Sequence, residues 1–351
     1  MVNEKLNLVI LANEYSEDHY LWIKACEKFS QEVSYRIVDL TSSKWLEAIQ
    51  SEPFDYLLAK PGAFTSPFKL LYDERIQILS HVLGYSVFPS PTEVFIYENK
   101  RFLSFWLKAN KIPHPKTEVF YFKHEADAFL KNCNFPLVAK VNIGASGNGV
   151  RIVRSLADAR AYVEDVFSGK GAAKNTGPNL SKGNLLGRSL KYFLNPMGLI
   201  KKLRRYNAVA SDRQTDFVLF QEFIPHDYEW RVVRIGNSFF AHKKMVRGEM
   251  ASGSLIKGYD NPPIELFDFV KEITDKHSLY SQAIDIFESP MGFLVNEMQC
   301  IFGQSDPYQM LVDGKPGRFV YNSNKWHFEE GDFNGNESFD LRVQYLIDRN
   351  S

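Results

Sequence analysis

Phe135-Pro-Leu-Val-Ala-Lys140-Val-Asn-Ile-Gly144-Ala-Ser146-Gly147-Asn-Gly149-Val150 joins an apolar strand carrying Lys140 to a glycine-rich loop. Without Cβ atoms in the way, backbone N–H groups of such a loop can approach phosphate oxygens closely. A lysine on the preceding strand brings a point charge to the same phosphates. The loop lacks the terminal Gly-Lys-Ser/Thr of a Walker motif, and its glycines are not spaced as in a dinucleotide fingerprint. Taken alone, a G-x-x-G-x-G run is more often a tight turn than a nucleotide site.

Around this stretch the chain reads as alternating strands and helices. Leu6–Leu11, Val33–Leu40 and Phe54–Ala59 are strands, Asp18–Phe29, Lys44–Ser51 and Leu70–Leu83 are helical, and Tyr85–Phe88 is a short last strand. That alternation predicts a parallel, doubly wound sheet. The breaker cluster Pro89-Ser-Pro-Thr92 marks a boundary. Glu93–Asn110 then reads as one helix carrying Lys100, Val119–Phe122 as a strand and Glu125–Cys133 as a helix leading to the glycine loop. The strand resumes through Val153, and Ser155–Phe167 is helical.

Farther on, Phe217–Phe223 is a strand, and Glu229–Ile235 with Ser238–Met245 forms a hairpin about Gly236-Asn237. A helix at Ile264–Ser278 precedes a second hairpin, Gln282–Phe287 with Gly292–Gln299. If Phe287 faces Phe293, Asp285 lies opposite Val295 and diagonal to Glu297, about 7–8 Å away between backbones. Parity then puts Asp285, Glu297 and Gln299 on one face, where hard oxygen ligands could share a magnesium ion with substrate phosphates. Acids interrupting apolar runs are costly unless they serve a purpose.

The totals exclude several classes. Lys and Arg number 42, as do Asp and Glu, over 351 residues, so the chain is not a general nucleic-acid binder. Cys26, Cys133 and Cys300 have no metal-ligand spacing and suit a reducing compartment. The start reads as a first strand rather than a signal peptide, and no apolar run is long enough to span a bilayer. The expected location is cytoplasmic.

In this order the motifs resemble the ATP-grasp superfamily, in particular carboxylate–amine ligases such as glutathione synthetases and the glutamate ligases of ribosomal proteins. The resemblance covers roughly residues 90 to 305. It implies an α/β protein with two α+β subdomains clasping ATP, preceded by a Rossmann-like N-terminal domain. The expected boundaries are 1–90 for that domain, 91–220 for the subdomain with the phosphate loop, and 221–351 for the subdomain with the adenine hinge, metal site and tail. Lys100 and Lys140 match the two nucleotide-contacting lysines, and Gly144, Ser146, Gly147 and Gly149 the loop over the phosphates. Pro113-His-Pro-Lys-Thr117 matches the approach to the following strand. Gln221, Glu222, Phe223 and Ile224 are similar to the adenine hinge, and Glu229 to the ribose-contacting acid.

Asp285 and Glu297 match the acidic metal ligands, twelve residues apart, while Gln299 stands where an asparagine is usual. The cofactors implied are ATP and Mg2+, with Mn2+ able to replace it. Arg231, Lys243 and Arg247 are the implied catalytic cations, and Lys244 lies in the same cluster. His226 reads as a loop residue rather than a base. Expected partners are small-molecule carboxylate and amine substrates, with a homodimer in keeping with many relatives. Phosphoryl transfer to a carboxylate makes an acyl phosphate that an amine attacks. The rival reading is an ATP-grasp kinase acting on a hydroxyl of an anionic small molecule, and a non-enzymatic ATP-binding module is third.

Gly169–Ser211 carries nine Lys or Arg residues and no acid, which makes it a basic insert. Its readings are a cover for a phosphorylated substrate, a peripheral contact with an anionic membrane, or a solvated loop. Asn195-Pro196 divides the insert, because proline cannot continue a helix that precedes it. The tail Asp306–Ser351 carries no specific signal.

Overall fold

Leu6–Ala12 (β1) is buried on both faces from Leu8 onward, as a central parallel strand must be. It is followed by Tyr20–Lys28 (α1), Val33–Asp39 (β2), Trp45–Gln50 (α2), Tyr56–Leu58 (β3), Ser66–Gln77 (α3) and Val87–Phe88 (β4). The sheet order is β2-β1-β3-β4, and every pairing is parallel, as the alternation predicts. The computed structural model describes residues 5–12, 19–62, 65–144, 149–172, 196–247, 250–251, 256–304 and 306–350, with the backbone alone described at 196–202, 205, 247, 250 and 251. Ser146, Gly147 and the first part of the basic insert (173–195) therefore lie outside the described residues, as does the side chain of Arg247.

The segment expected as one helix over Glu93–Asn110 is two: Pro91–Ile96 (α4) and Lys100–Ala109 (α5). Ser90 opens the first with a reciprocal capping box to Glu93, and Pro91 is tolerated because the first N–H has no helical partner. Glu98 then adopts a left-handed φ of 51°, which no α-helix can pass through. The Asn99 side chain restarts the helix by accepting from the Phe102 N–H. Lys100 consequently occupies the first turn of α5 and is not carried mid-helix.

Thr117–Phe120 (β5), Lys123–Leu130 (α6), Leu137–Lys140 (β6), Val150–Val153 (β7), Leu156–Phe167 (α7), Pro196–Ser211 (α8) and Val218–Glu222 (β8) follow. The four strands form an antiparallel sheet in the order β5-β8-β6-β7. Leu137 and Ala139 of β6 turn inward with Ala126, Leu130, Val163 and Val166 from α6 and α7. Val138 and Lys140 alternate to the opposite, half-buried face. α8 starts at Pro196, and the expected break at Asn195-Pro196 falls partly outside the described residues.

The largest sheet comprises Tyr228–Ile235 (β9), Ser238–Arg247 (β10), Met250–Ala251 (β11), Lys257–Gly258 (β12), then, after helix Ile264–Lys276 (α9), Ser281–Ser289 (β13), Gly292–Gln299 (β14), Leu311–Val312 (β15), Lys315–Asn322 (β16) and Lys325–Glu330 (β17). Its main order is β14-β13-β9-β10-β16-β15, with β11 and β12 on β10 and β17 on β16. Leu266, Phe267 and Val270 of α9 pack into its core with Val232, Ile284 and Val295. The tail is thus not featureless. It supplies three strands and a final helix, Phe339–Asn350 (α10), which packs Phe339, Val343 and Leu346 against Leu8, Ile10 and Trp22 of the first unit.

The β13–β14 register differs from the expected one. Phe287 faces Leu294 rather than Phe293, Ile286 faces Val295, and Asp285 faces Glu297 directly. A bulge absorbs Asn296 between the last two pairs, and two residues then oppose one. Strict alternation cannot anticipate that extra residue.

Candidate active site

The register lays Glu297, Asp285, Arg231 and His242 in one row across β14, β13, β9 and β10. Lys244 stands opposite Glu229 one pair away on the same face. Arg231 grips Asp285 through two parallel bonds, Nε to Oδ1 at 2.8 Å and Nη2 to Oδ2 at 2.9 Å. Lys244 Nζ bridges Asp285 at 2.7 Å and Glu229 at 2.8 Å. Burial opposes the charge on Asp285, yet Arg231 and Lys244 outweigh it and hold the carboxyl well below the usual carboxylate range. Burial likewise opposes Lys244, but Asp285 and Glu229 raise it. His242 is pulled down to about 3 by burial, with Arg231 adding, so it is neutral at physiological pH.

Facing this row across a cleft stands the sheet β5-β8-β6-β7. Val138, Val150 and Ile152 form one apolar wall, Phe287 another, and Gln221 to Ile224, at the end of β8, complete the lining. Apolar walls with a few polar groups beside them suit a planar heterocycle. Gln221 Nε2 donates to Thr117 Oγ1 at 3.3 Å, and Lys116 N donates to Glu222 at 3.3 Å, which ties the end of β8 to β5. His226 lines the cleft, its Nδ1 2.6 Å from the Ile224 carbonyl and its ring 4.6 Å from that of Phe287.

Two lysines enter from opposite walls. Lys140 Nζ donates to Asn296 Oδ1 at 3.1 Å, and Asn296 Nδ2 donates to Glu229 at 3.0 Å. Burial pulls the Lys140 ammonium down to about 8, with Glu297 opposing. Lys100 Nζ donates to the Gly144 carbonyl at 2.7 Å and lies 3.4 Å from Glu98 and 3.8 Å from Glu297. Gly149 meets a steric requirement: at φ +81° an added Cβ would stand 2.3 Å from Val141 Cγ2.

The structure therefore gathers Lys100, Lys140, Gly144, Gln221, Glu222, Phe223, Ile224, Glu229 and Glu297 around one cleft, with Asp285, Arg231 and Gln299 in the charged cluster at its end. It does not bring Lys243 there. That side chain turns to the other sheet face, 4.1 Å from the Tyr228 ring centroid and paired with Asp260 at 2.7 Å. The neighbouring Lys244 takes the inward position. Asn296 was missed because it rides on the bulge, and Glu98 because it hides in an unforeseen helix break.

The donor set fits a hard cation. Arg231 Nη2 lies 2.9 Å from Asp285 Oδ2 and 3.4 Å from Gln299 Oε1, so two of the three candidate oxygens already converge on one cationic nitrogen. Among the described residues no group of three or more His, Cys, Asp or Glu could hold a metal. Magnesium needs none, since it takes one or two carboxylates and completes its shell with phosphates and water.

No family model matches the sequence, and no curated protein matches it significantly. Solved structures do match. The biotin carboxylase domain of Hydrogenobacter thermophilus 2-oxoglutarate carboxylase, solved with Mg-ADP, ADP and bicarbonate, superposes with a TM-score of 0.55 at 12% identity, over 88% of this chain and 66% of that one. An N5-carboxyaminoimidazole ribonucleotide synthetase in its ADP complex gives 0.54 at 13% identity, over 87% and 72%. Bacillus anthracis D-alanine–D-alanine ligase with ATP gives 0.50 at 14% identity, over 99% and 100%. The chain has the ATP-grasp fold.

Proposed function

We propose that this protein is an ATP- and Mg2+-dependent ligase that joins a small carboxylic acid to an amine. The observation that carries the reading is one cleft in which an apolar slot lined by the end of β8 leads to two lysines and then to a buried carboxylate–cation row. Adenine fits the slot against Gln221 to Ile224, the ribose meets Glu229, and Lys100 and Lys140 hold phosphate oxygens. The likeness to a ligase, a synthetase and a carboxylase solved with adenine nucleotides supports the same reading.

A carboxylate is a poor acyl donor because oxide cannot leave. Its oxygen attacks the γ-phosphorus, the bond to the β-phosphate oxygen breaks, and ADP departs with that electron pair. The amine then adds to the acyl phosphate carbon, loses a proton and expels inorganic phosphate. This chemistry asks the protein for placement and charge neutralisation rather than a nucleophile. Asp285, Glu297 and Gln299 would hold magnesium, which when bound would further neutralise phosphate charge. Arg231 and Arg247 are assigned to the acyl phosphate and the tetrahedral species. Lys244, on the face of β10 that Lys243 does not reach, neutralises charge in its place.

The test is ADP release from ATP and magnesium against pooled amino acids and sugar acids, with and without hydroxylamine. Acid-dependent ADP together with hydroxamate is the expected result, since hydroxylamine traps acyl phosphates. ADP formed only with hydroxyl-bearing substrates, and no hydroxamate, would overturn the ligase in favour of a kinase.

A further inference from the structure

Glu98 lies in the break between α4 and α5, 4% exposed, with its backbone at φ 51°. Glutamate rarely adopts that conformation, and a surrounding structure that enforces it points to a role for the residue. Its carboxylate faces two groups of the cleft. Oε1 accepts from Gln299 Nε2 at 3.2 Å, and Oε2 accepts from Lys100 Nζ at 3.4 Å. The other end of the Gln299 amide faces Arg231 Nη2, with Oε1 at 3.4 Å.

A primary amide has a donor end and an acceptor end that occupy nearly the same shape. Here Arg231, a guanidinium, can only donate, which leaves the donor end of the amide to Glu98 Oε1. The orientation that satisfies both turns the Gln299 oxygen toward Arg231 and its NH2 group toward Glu98. Glutamine has one more rotatable bond than asparagine, so its oxygen needs outside support to stay in place. We infer that Glu98 is a positioning residue: it holds the donor end of the Gln299 amide so that the oxygen faces the cation position. The same carboxylate lies 3.4 Å from the Lys100 ammonium, which donates more closely, at 2.7 Å, to the Gly144 carbonyl. The inference rests on the proposed function only in requiring a cation at Asp285, Glu297 and Gln299.

The experiment is a titration of Mn2+ by electron paramagnetic resonance in the presence of ADP, with ADP affinity also measured without metal. Glu98→Met removes the acceptor and is expected to weaken Mn2+ binding about 10- to 100-fold, the usual loss when a partner of a metal ligand is removed. Glu98→Gln, which can present either amide end, loses less and controls for folding. ADP affinity without metal stays within about threefold, because neither substitution removes a cation from the phosphates. In a Gln299→Ala background, Glu98→Met is expected to add less than twofold. An undiminished effect there would show that Glu98 acts only through its charge and would overturn the positioning role. So would wild-type Mn2+ affinity in Glu98→Met. If the wild-type protein with ADP bound no Mn2+, the metal-dependent function itself would fall, an outcome distinct from both.

Discussion

Asp285 illustrates what a single side chain demands of its surroundings. At 1% exposure its two oxygens receive three cationic donors, from Arg231 and Lys244. Such a pair is weak evidence of stability, because desolvation offsets most of the attraction. Under the proposed function, this charge would rearrange when phosphates and a cation enter. Lys140 is the counterpart on the other wall, held down to about 8 by burial. Phosphate binds the ammonium form, so ADP affinity should be flat below about pH 8. It should fall above that, by up to about tenfold per unit, as the free protein loses the proton that binding requires. Calorimetric titration from pH 6.5 to 9.5 measures this. Lys140→Arg, which stays charged throughout, should flatten the profile, and an equal slope in both proteins would assign it elsewhere. Some of this site was legible in the sequence. Counting back from the two-residue turn at Gly236-Asn237 puts Lys244, not Lys243, opposite Glu229, and the sequence already held that information. Asn296 was not legible, since a bulge gives no sign in the alternation it interrupts.

At the level of elements, the β6–β7 pair shows why the glycine-rich run matters even before any nucleotide arrives. Val141 N donates to the Gly149 carbonyl at 2.9 Å, which brings the strand after Lys140 against the strand before Val150. Gly149 sits at φ +81°, and the space its Cβ would need is filled by both Val141 methyls, at 2.3 and 2.8 Å. Gly149→Ala should therefore cost about 1–3 kcal/mol from crowding and left-handed strain together, read as a shift in the urea midpoint. A Gly149→Ala/Val141→Ala double variant should recover part of the loss by vacating the methyl positions. No recovery would leave backbone strain as the whole effect. The strand–loop–strand pattern was readable because glycine spacing and apolar runs are local signals. The interruption between α4 and α5 was not, because Tyr97-Glu-Asn99 contains neither Gly nor Pro, and the left-handed Glu98 is held by contacts to Lys100 and Gln299.

Over the whole molecule, the end of the chain ties the first sheet to the sheet that carries the carboxylates. Phe339 is fully buried, edge-on to Trp22 at 4.8 Å between ring centroids, in a cluster that also takes Cys300 and Ile301 just beyond β14. Arg342, likewise fully buried, donates to Ser281 Oγ at 2.9 Å, and Ser281 N donates to Glu93 at 2.7 Å. Ser281 of β13 therefore joins α10 to α4, while α10 also packs on β1 and α1. The spacing of Phe339, Val343 and Leu346 is that of one helix face, but the tail carried no specific signal in the sequence. The surface that spacing matches, around Leu8 and Trp22, lies more than 300 residues away in the chain, beyond the reach of any local pattern. Phe339→Ala should cost about 3–5 kcal/mol, the range for deleting a fully buried phenyl ring. The carboxylate row has its own core of Val232, Ile284 and Val295, separate from the Phe339 cluster. ADP affinity in the folded variant should accordingly stay within about twofold of wild type, since contacts in separate clusters act nearly independently. A loss of affinity as large as the loss of stability would instead mean that α10 positions the cleft, and that Cys300 passes the disturbance to Gln299 beside it.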